Sequence, residues 1–217
     1  VLERLPADGV TDAALRQAAA AMTGEVQQVP PGISAIKVGG KRAYRLSREG
    51  TPPDLPARLV TITTLEITGI RRGAGPAGDL VDADVRVTCS SGTYIRAIAR
   101  DLGTAVGTGG HLTALRRTRV GPYLADAAAP LDELAELPGS GRDLPVIALA
   151  EAAAAAFPAW QLTEQEARLI GHGGRLAARG AGTGPVAAFG LDGSLVALLT
   201  EQDGEARSLA VFATETS

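Results

Sequence analysis

The sequence predicts an α+β protein, in which a mixed, largely antiparallel sheet with flanking helices is followed by a small C-terminal module. Three observations support this fold class. Residues 81–89 alternate strictly between apolar and polar side chains, which is typical of a strand with one buried face. Residues 95–102 repeat their apolar side chains at helical spacing. After residue 144 an alanine-rich helix and short hairpin signals indicate a separate α+β or barrel-like module.

The first part of the chain contains a helix, a strand and a second helix. Thr11 can cap a helix whose apolar residues recur at helical spacing, and Gly24 can end it. A Pro-Pro pair forces the next segment to be extended. It leads into a strand over residues 33–38, and a glycine turn then precedes a short helix over residues 41–48.

The middle of the chain is predicted to be a hairpin followed by a helix. A β-branched run over residues 59–70 and the alternating run over residues 81–89 form its two strands. The Gly/Pro-rich residues 71–78 between them are expected to be the loop. Cys89 ends the apolar face of the second strand, where a small buried residue is expected. The helix over residues 95–102 follows and ends at a glycine.

Shorter elements complete the chain. A helix over 112–117, a strand over 119–124 and a helix over 131–137 precede a linker at 138–141. In the C-terminal module we predict a helix over 147–157, a helix from Thr163 to Ile170 with a capping box, and strands over 185–190, 194–200 and 208–212. We therefore expect two domains, residues 1–144 and 145–217.

Composition narrows the class of protein. The single cysteine excludes an internal disulfide framework and a multi-cysteine zinc site, and it fits a reducing cytoplasm. The two histidines have no metal-ligand spacing, and no Walker loop, dinucleotide fingerprint or G-x-S-x-G elbow occurs. No apolar run is long enough to span a bilayer. Metal, cofactor and membrane functions are therefore not expected.

Charge is distributed unevenly along the chain. Residues 1–125 hold 16 Lys/Arg against 11 Asp/Glu, a balance of +5, whereas residues 126–217 hold 5 against 13, a balance of −8. The acidic total argues against indiscriminate nucleic-acid binding, but the basic half can still face a phosphate backbone. Its cationic candidates lie in two clusters: Lys37, Lys41, Arg42, Arg45 and Arg48, and Arg116, Arg117 and Arg119. On a helix, Lys41, Arg45 and Arg48 would share one face.

The junction between the alternating strand and the following helix carries the strongest candidate for chemistry. In Cys-Ser-Ser-Gly-Thr-Tyr-Ile-Arg, Tyr94 and Arg96 are two residues apart, so extended backbone would place them on one face. An aromatic ring beside a guanidinium suits stacking on a base and pairing with a carboxylate or phosphate. The alternative is that Tyr94 packs half-buried and Arg96 is a surface residue.

Taken in order, three segments resemble the bacterial tRNA pseudouridine synthase B (TruB) family. They are V-P-P-x-x-S-A-I-K-V-x-G-K-R-A-Y-x-L-x-R-x-G at 29–50, C-S-S-G-T-Y-I-R-x-x-x-x-D-L-G at 89–103, and G-x-H-L-x-x-L-R-R-T-R-V-G at 109–121. The resemblance covers about residues 11–135. The tail is similar, less specifically, to the family's small RNA-binding module of PUA type.

This resemblance implies a pseudouridine synthase-like fold and isomerisation of the T-loop uridine of tRNA, position 55, to pseudouridine. Such enzymes flip the uridine into a pocket and use no metal or organic cofactor. Tyr94 is then implied to stack on the uracil and to act as acid or base, Arg96 to pair with a catalytic aspartate, and Leu115 to form an apolar wall. The RNA contacts implied are Lys37, Lys41, Arg42, Arg45, Arg116, Arg117 and Arg119. The implied partner is the T arm of tRNA, bound by a cytoplasmic monomer.

One part of the family pattern is missing. The family's catalytic aspartate lies in a G-x-L-D-P-x-A-T-G motif, and none of the aspartates of this chain follows Gly-x-Leu or precedes proline. Because the chain also begins at Val1, we expect it to be a piece of a longer enzyme and inactive by itself. Two alternatives stay open: a non-catalytic RNA-binding protein that uses the same surface, and a small-molecule-binding protein with incidental arginines.

Overall fold

A computed structural model describes residues 5–50, 53–75, 78–182 and 184–212. The chain divides into two compact units, residues 1–115 and 116–217. Each unit contains its own hydrophobic core. None of the helices in the described part of the chain is long and apolar enough to cross a bilayer.

The first unit contains three helices and five strands among its described residues. In chain order they are α1 (Asp12–Ala21), β1 (Gly24–Gln28), β2 (Lys37–Val38), β3 (Lys41–Arg42), α2 (Ala43–Arg48), β4 (Arg58–Gly75), β5 (Gly78–Cys89) and α3 (Ile95–Ala105). The predicted cap of α1 is confirmed, since the Ala14 N–H donates to the Thr11 hydroxyl at 3.1 Å.

Strands β1, β4 and β5 form an antiparallel sheet in that order. The β4–β5 pairing runs from Ile62 opposite Cys89 to Gly75 opposite Gly78. The prediction that residues 71–78 form the hairpin loop was therefore wrong. Ion pairs between β-sheet side chains, such as Arg71 with Asp84, accompany the extended pairing.

The core of the first unit lies between this sheet and helices α1 and α3. Leu15 of α1, Ile62 and Ile67 of β4, and Ile98 of α3 are among its buried residues. The apolar face of β5 packs against the same core but is only half-buried. Cys89 shares this partial exposure, so its predicted complete burial was wrong.

The segment around the first basic cluster folds differently from the prediction. Only Lys37–Val38 of the predicted strand is paired, because the Gly39-Gly40 turn, with positive φ at both glycines, folds the chain into a short hairpin. Residues 41–42 form its second strand, and α2 begins at Ala43. Lys41 therefore cannot share a helical face with Arg45 and Arg48, and that prediction was wrong.

The predicted helix over 112–117 is absent, and this segment forms neither a helix nor a strand up to residue 118. Six residues offer too few hydrogen bonds to offset helix nucleation without tertiary packing. Such packing is missing here, since Leu115 is 63% exposed. The adjoining predicted strand is a small hairpin in the second unit.

Glycines near the end of α3 allow a close approach between the helix and the following loop. The helix continues through Gly103, where a Cβ atom would lie 2.5 Å from the carbonyl carbon of Gly109. A Cβ atom on Gly110 would overlap the carbonyl oxygen of Ala99. These glycines therefore have a packing role at the end of α3.

We expect Gly110→Ala to lower the free energy of unfolding by about 1–3 kcal/mol, because a methyl group cannot fit against the Ala99 backbone. Denaturant unfolding followed by circular dichroism measures this change. Gly109→Ala is the matched control, since its Cβ would meet nothing within 4 Å. Equal stability of the two variants would contradict the packing role.

The second unit begins with short elements and ends in a five-stranded sheet. Its elements are β6 (Arg119–Val120), β7 (Tyr123–Leu124), α4 (Leu131–Glu136), α5 (Leu149–Ala156), β8 (Ala159–Gln161), α6 (Glu164–Gly171), β9 (Leu176–Ala177), β10 (Val186–Phe189), β11 (Leu195–Gln202) and β12 (Glu205–Val211), with 3₁₀ turns at Ala125–Ala127 and Pro138–Ser140.

The sheet has the order β8-β10-β11-β12-β9 and is antiparallel except for the β8–β10 pair. The predicted capping box is confirmed at the start of α6, where Thr163 and Glu166 bond reciprocally. The Thr163 backbone N–H, together with the Arg179 guanidinium, holds the pKa of Glu166 below its ordinary value.

Among the described residues of the second unit, those that are buried all lie between Ala153 and Ala206. No residue of the segment 116–149, all of which the structure describes, is buried. The core of the C-terminal module thus begins after residue 144. The domain boundary itself stays a prediction, since the division into compact units falls at Leu115/Arg116.

Candidate active site

The β5–α3 junction presents the two side chains that were predicted to carry chemistry. Strand β5 ends at Cys89, and Tyr94 is the N-cap residue of α3, with extended backbone (φ −99°, ψ 107°). Tyr94 is half-buried. Arg96 is exposed and is the second residue of the helix, so only Tyr94 retains the extended backbone assumed from the sequence.

A buried amide fixes the backbone of Tyr94. Gln28, the last residue of β1, accepts a hydrogen bond from the Tyr94 N–H at 2.8 Å and donates one to the Tyr94 carbonyl at 3.2 Å. The same carbonyl accepts the first helical hydrogen bonds of α3, from Ala97 and Ile98. The side chain of Gln28 therefore joins the end of β1 to the start of α3.

Two arginines of α3 bind the segment that follows Gln28. Arg96 donates to the Ile33 carbonyl at 2.9 Å, and Arg100 donates to the Val29 carbonyl at 2.9 Å. Arg100 is itself held by Asp101 at 2.7 Å. As a result, residues 28–33 are attached to residues 94–100 by side chains from both segments.

Arg96 also lies at an electrostatically unusual position. The N-terminal end of a helix carries a partial positive charge, so a cation in the first turn is unfavourable by about 0.3–1 kcal/mol. The first turn of α3 holds no acidic residue, and in the described part of the chain no carboxylate pairs with Arg96. The junction is therefore a positive locus suited to an anion.

The β2–β3 hairpin brings two cations together. Lys37 and Arg42 are directly opposite each other across the pair, and both are exposed. Like charges at opposed positions are destabilising, and neither forms an ion pair with a carboxylate in the described ranges. Lys41 lies in the same hairpin, but its side chain is outside the described residues.

The remaining predicted RNA contacts are exposed. Arg45 forms an i,i+4 ion pair with Glu49 at 3.0 Å, which is weak at such a surface position. Arg116, Arg117 and Arg119 lie on the exposed segment that opens the second unit. Their guanidinium groups are accessible to solvent, as phosphate contacts need to be.

No aspartate is found beside Tyr94 and Arg96 among the hydrogen bonds and ion pairs of the described residues. Leu115 lies in the irregular segment after α3, and its place in a pocket wall stays a prediction. The described residues also contain no group of three or more His, Cys, Asp or Glu side chains placed to hold a metal.

Comparison with known proteins decides the family. Residues 1–95 match the profile of the TruB family pseudouridylate synthase N-terminal domain. Residues 96–140 match the tRNA pseudouridylate synthase B C-terminal domain, and residues 157–213 match the tRNA pseudouridine synthase II C-terminal domain. The chain is 51% identical over 213 residues to tRNA pseudouridine synthase B of Thermobifida fusca, covering 98% of the chain and 70% of that protein.

The chain belongs to the tRNA pseudouridine synthase B family. It is also 50% identical to the family member of Streptomyces griseus, over 95% of the chain and 68% of that protein. The member from an Arthrobacter species is 52% identical, again over 95% and 68%. This confirms the resemblance seen in the three sequence segments.

Solved structures confirm the fold class. The chain superimposes on a protein chain in the Cbf5-Nop10-Gar1 complex with a TM-score of 0.69 at 22% identity, covering 96% of this chain and 63% of that one. A chain of an H/ACA RNP bound to a substrate RNA containing 2'-deoxyuridine gives the same TM-score at 21% identity, covering 98% and 64%. The chain thus spans somewhat less than two thirds of these solved chains.

Sequence reasoning missed two members of the junction, Gln28 and Arg100. Gln28 follows three alternating residues that read as a weak strand, and its burial depends on a partner 66 residues later. Arg100 could not be distinguished by sequence from the other arginine of the same helix, because its contact with the Val29 carbonyl joins residues 71 positions apart. In the sequence, Arg100 lies inside one of the segments that carry the family resemblance, at a position the pattern leaves unspecified, and Gln28 directly precedes the first of those segments.

Proposed function

We propose that the parent protein isomerises the T-loop uridine of tRNA, position 55, to pseudouridine in the bacterial cytoplasm. Membership of a tRNA pseudouridine synthase family supports this proposal. The observation that carries it is the positive junction at the start of α3. At this junction the Gln28 amide holds the backbone of Tyr94 by hydrogen bonds. Arg96 lies in the first turn of the helix and has no acidic partner among the described residues.

The reaction exchanges the bonds of C1′ and one proton at the flipped nucleotide. The N1–C1′ glycosidic bond breaks, the uracil turns, a C5–C1′ bond forms, C5 loses its proton and N1 gains one. In this proposal Tyr94 stacks on the uracil and transfers a proton, and Leu115 closes an apolar wall. Arg96 pairs with an aspartate that the 217 residues do not supply, because the G-x-L-D-P motif is absent from them. The rearrangement is redox-neutral, so it needs no oxidant or reductant.

The cationic residues supply the binding of the RNA backbone. Lys37 and Arg42 repel each other in the free protein, so a phosphate near the hairpin relieves an unfavourable pair. Arg116, Arg117 and Arg119 provide a second group of exposed cations, with Lys41 and Arg45 as further contacts. We assign the T arm as the partner of these cations and a monomer as the binding species.

We expect Arg116→Ala to weaken binding of a T-arm stem–loop RNA and to reduce the slope of log K against log salt by about one unit or less. Fluorescence anisotropy across a potassium chloride series measures this slope. Arg142→Ala is the control, because Arg142 is exposed but lies in the acidic half, where it bonds Ser140. An unchanged slope for Arg116→Ala would remove this residue from the interface.

The second candidate function is that of a non-catalytic RNA-binding protein. The one observation that favours it is that the 217 residues contain no G-x-L-D-P motif. It predicts the same salt-dependent binding. It differs in predicting that no upstream sequence confers isomerisation, so the two candidates separate on activity and not on affinity.

A further inference from the structure

Gln28 is an unusual residue to find in the core of the first unit. Its side chain is 4% exposed, and it is one of two polar side chains that are buried in the described part of the chain. A buried amide is tolerated only when its donor and acceptor are both used. A leucine of similar size would satisfy packing alone, so the amide indicates a role in hydrogen bonding.

Both hydrogen bonds of the Gln28 amide go to one residue, Tyr94. The amide oxygen accepts from the Tyr94 N–H at 2.8 Å, and the amide nitrogen donates to the Tyr94 carbonyl at 3.2 Å. This reciprocal pair fixes the position and the direction of the Tyr94 peptide groups, much as a strand partner would. The Tyr94 backbone is therefore fixed even though residues 90–93, which precede it, form no helix or strand.

The neighbouring contacts make this attachment rigid. Arg100 binds the Val29 carbonyl and Arg96 binds the Ile33 carbonyl, each at 2.9 Å. Gln28 is also the end of a paired strand, opposite Arg58 in β4. The Gln28 side chain thus connects Tyr94 to the sheet, in addition to the bonds that Ser90 forms with Thr61 of β4.

We propose that Gln28 is the positioning residue for Tyr94: its amide holds the ring in the orientation that receives the target base. Gln28 does not touch the RNA and acts only through the Tyr94 backbone. This inference rests on the proposed function for the identity of the base, but the positioning itself is a property of the free protein and is tested there.

Fluorine NMR of the chain labelled with 3-fluorotyrosine reports the environment of the ring. The chain has three tyrosines, Tyr44, Tyr94 and Tyr123, so Tyr94→Phe assigns the resonance. We expect Gln28→Leu to displace or broaden the Tyr94 resonance at every pH, by more than the linewidth of that resonance in the wild-type chain. The Tyr123 resonance should stay in place. Gln27→Leu is the matched control, because Gln27 is the exposed neighbour.

Gln28→Glu separates positioning from a general loss of structure. The ionised carboxylate accepts from the Tyr94 N–H but cannot donate to its carbonyl, whereas the protonated acid can do both. Burial raises the pKa of such a carboxyl above its ordinary value. We therefore expect a displaced Tyr94 resonance at high pH that returns to the wild-type position as the pH falls. If Gln28→Leu fails to fold, the return of the Tyr94 resonance at low pH in Gln28→Glu decides whether Gln28 positions Tyr94.

A wild-type Tyr94 resonance in Gln28→Glu at every pH, or a displacement that does not return at low pH, would overturn the positioning role. Addition of a T-arm stem–loop RNA tests the proposed function separately. We expect the RNA to shift the Tyr94 resonance of the wild-type chain, whereas a stem–loop with the T-loop uridine replaced by an abasic site should not. If RNA never shifts this resonance, the proposed function fails, while the spectra of the free variants still decide the role of Gln28.

Discussion

The 217-residue chain alone is expected to bind a T-arm stem–loop RNA and to convert none of its target uridine. The cations proposed to contact RNA and the Tyr94–Arg96 junction lie within the chain, but the aspartate motif does not. Release of tritium from RNA labelled at C5 of uridine measures conversion, because isomerisation removes the C5 hydrogen. Anisotropy measures binding in the same samples.

Binding without conversion is the result that supports an incomplete active site. The control for binding is the charge-reduced variant Arg116→Ala, which should bind more weakly and be equally inactive. Tritium release above background by the chain alone would show that the carboxylate is either supplied within these residues or not required. That outcome would remove the role proposed for Arg96 as well.

Arg96→Ala is expected to have the second large effect, in an enzyme that also contains the aspartate motif. Loss of the guanidinium leaves the proposed aspartate without its partner, and removal of one such preorganised charge typically lowers turnover by about 10²–10³-fold. Affinity for tRNA should change little by comparison, because the proposed partner is a protein carboxylate and not a phosphate. Single-turnover kinetics and equilibrium binding measure the two quantities.

Arg86→Ala is a suitable control for this comparison. Arg86 is an exposed arginine of β5 that pairs with Glu66 at 3.4 Å on the sheet surface. Its loss should leave both turnover and affinity close to wild type. Equal losses of turnover and affinity in Arg96→Ala would instead make Arg96 an ordinary contact to the RNA backbone.

Elements specified by local sequence were predicted correctly. Thr11 caps α1, the alternation at residues 81–89 gives β5, and the Thr163–Glu166 capping box starts α6. In each case the signal and the structure involve residues within a few positions of each other. The family resemblance added the order of the three matching segments, which local patterns cannot supply.

Elements that depend on distant partners were missed. Strand β1 pairs with β4 more than 30 residues later, and β8 pairs in parallel with β10. Neither has a strong periodic pattern of its own. The helix predicted over 112–117 failed for the opposite reason: its local pattern was helical, but no core covers Leu115.

The candidate site shows the same limit. Sequence spacing identified Tyr94 and Arg96, because a strand–helix junction with an aromatic and a guanidinium is a recognisable arrangement. It could not identify Gln28, whose function arises only when the end of β1 meets the start of α3. The spacing of Tyr94 and Arg96 also does not indicate which carboxylate would complete the site.

In the proposed enzyme, an aspartate from a G-x-L-D-P segment completes the junction that this chain supplies. Tritium release from C5-labelled T-arm RNA tests this directly, with a fusion of that segment, taken from a family relative, to this chain. We expect conversion by the fusion and none when the aspartate of the segment is replaced by asparagine. A fusion that binds the T arm but leaves the uridine unconverted, or that works equally well with asparagine, would contradict it.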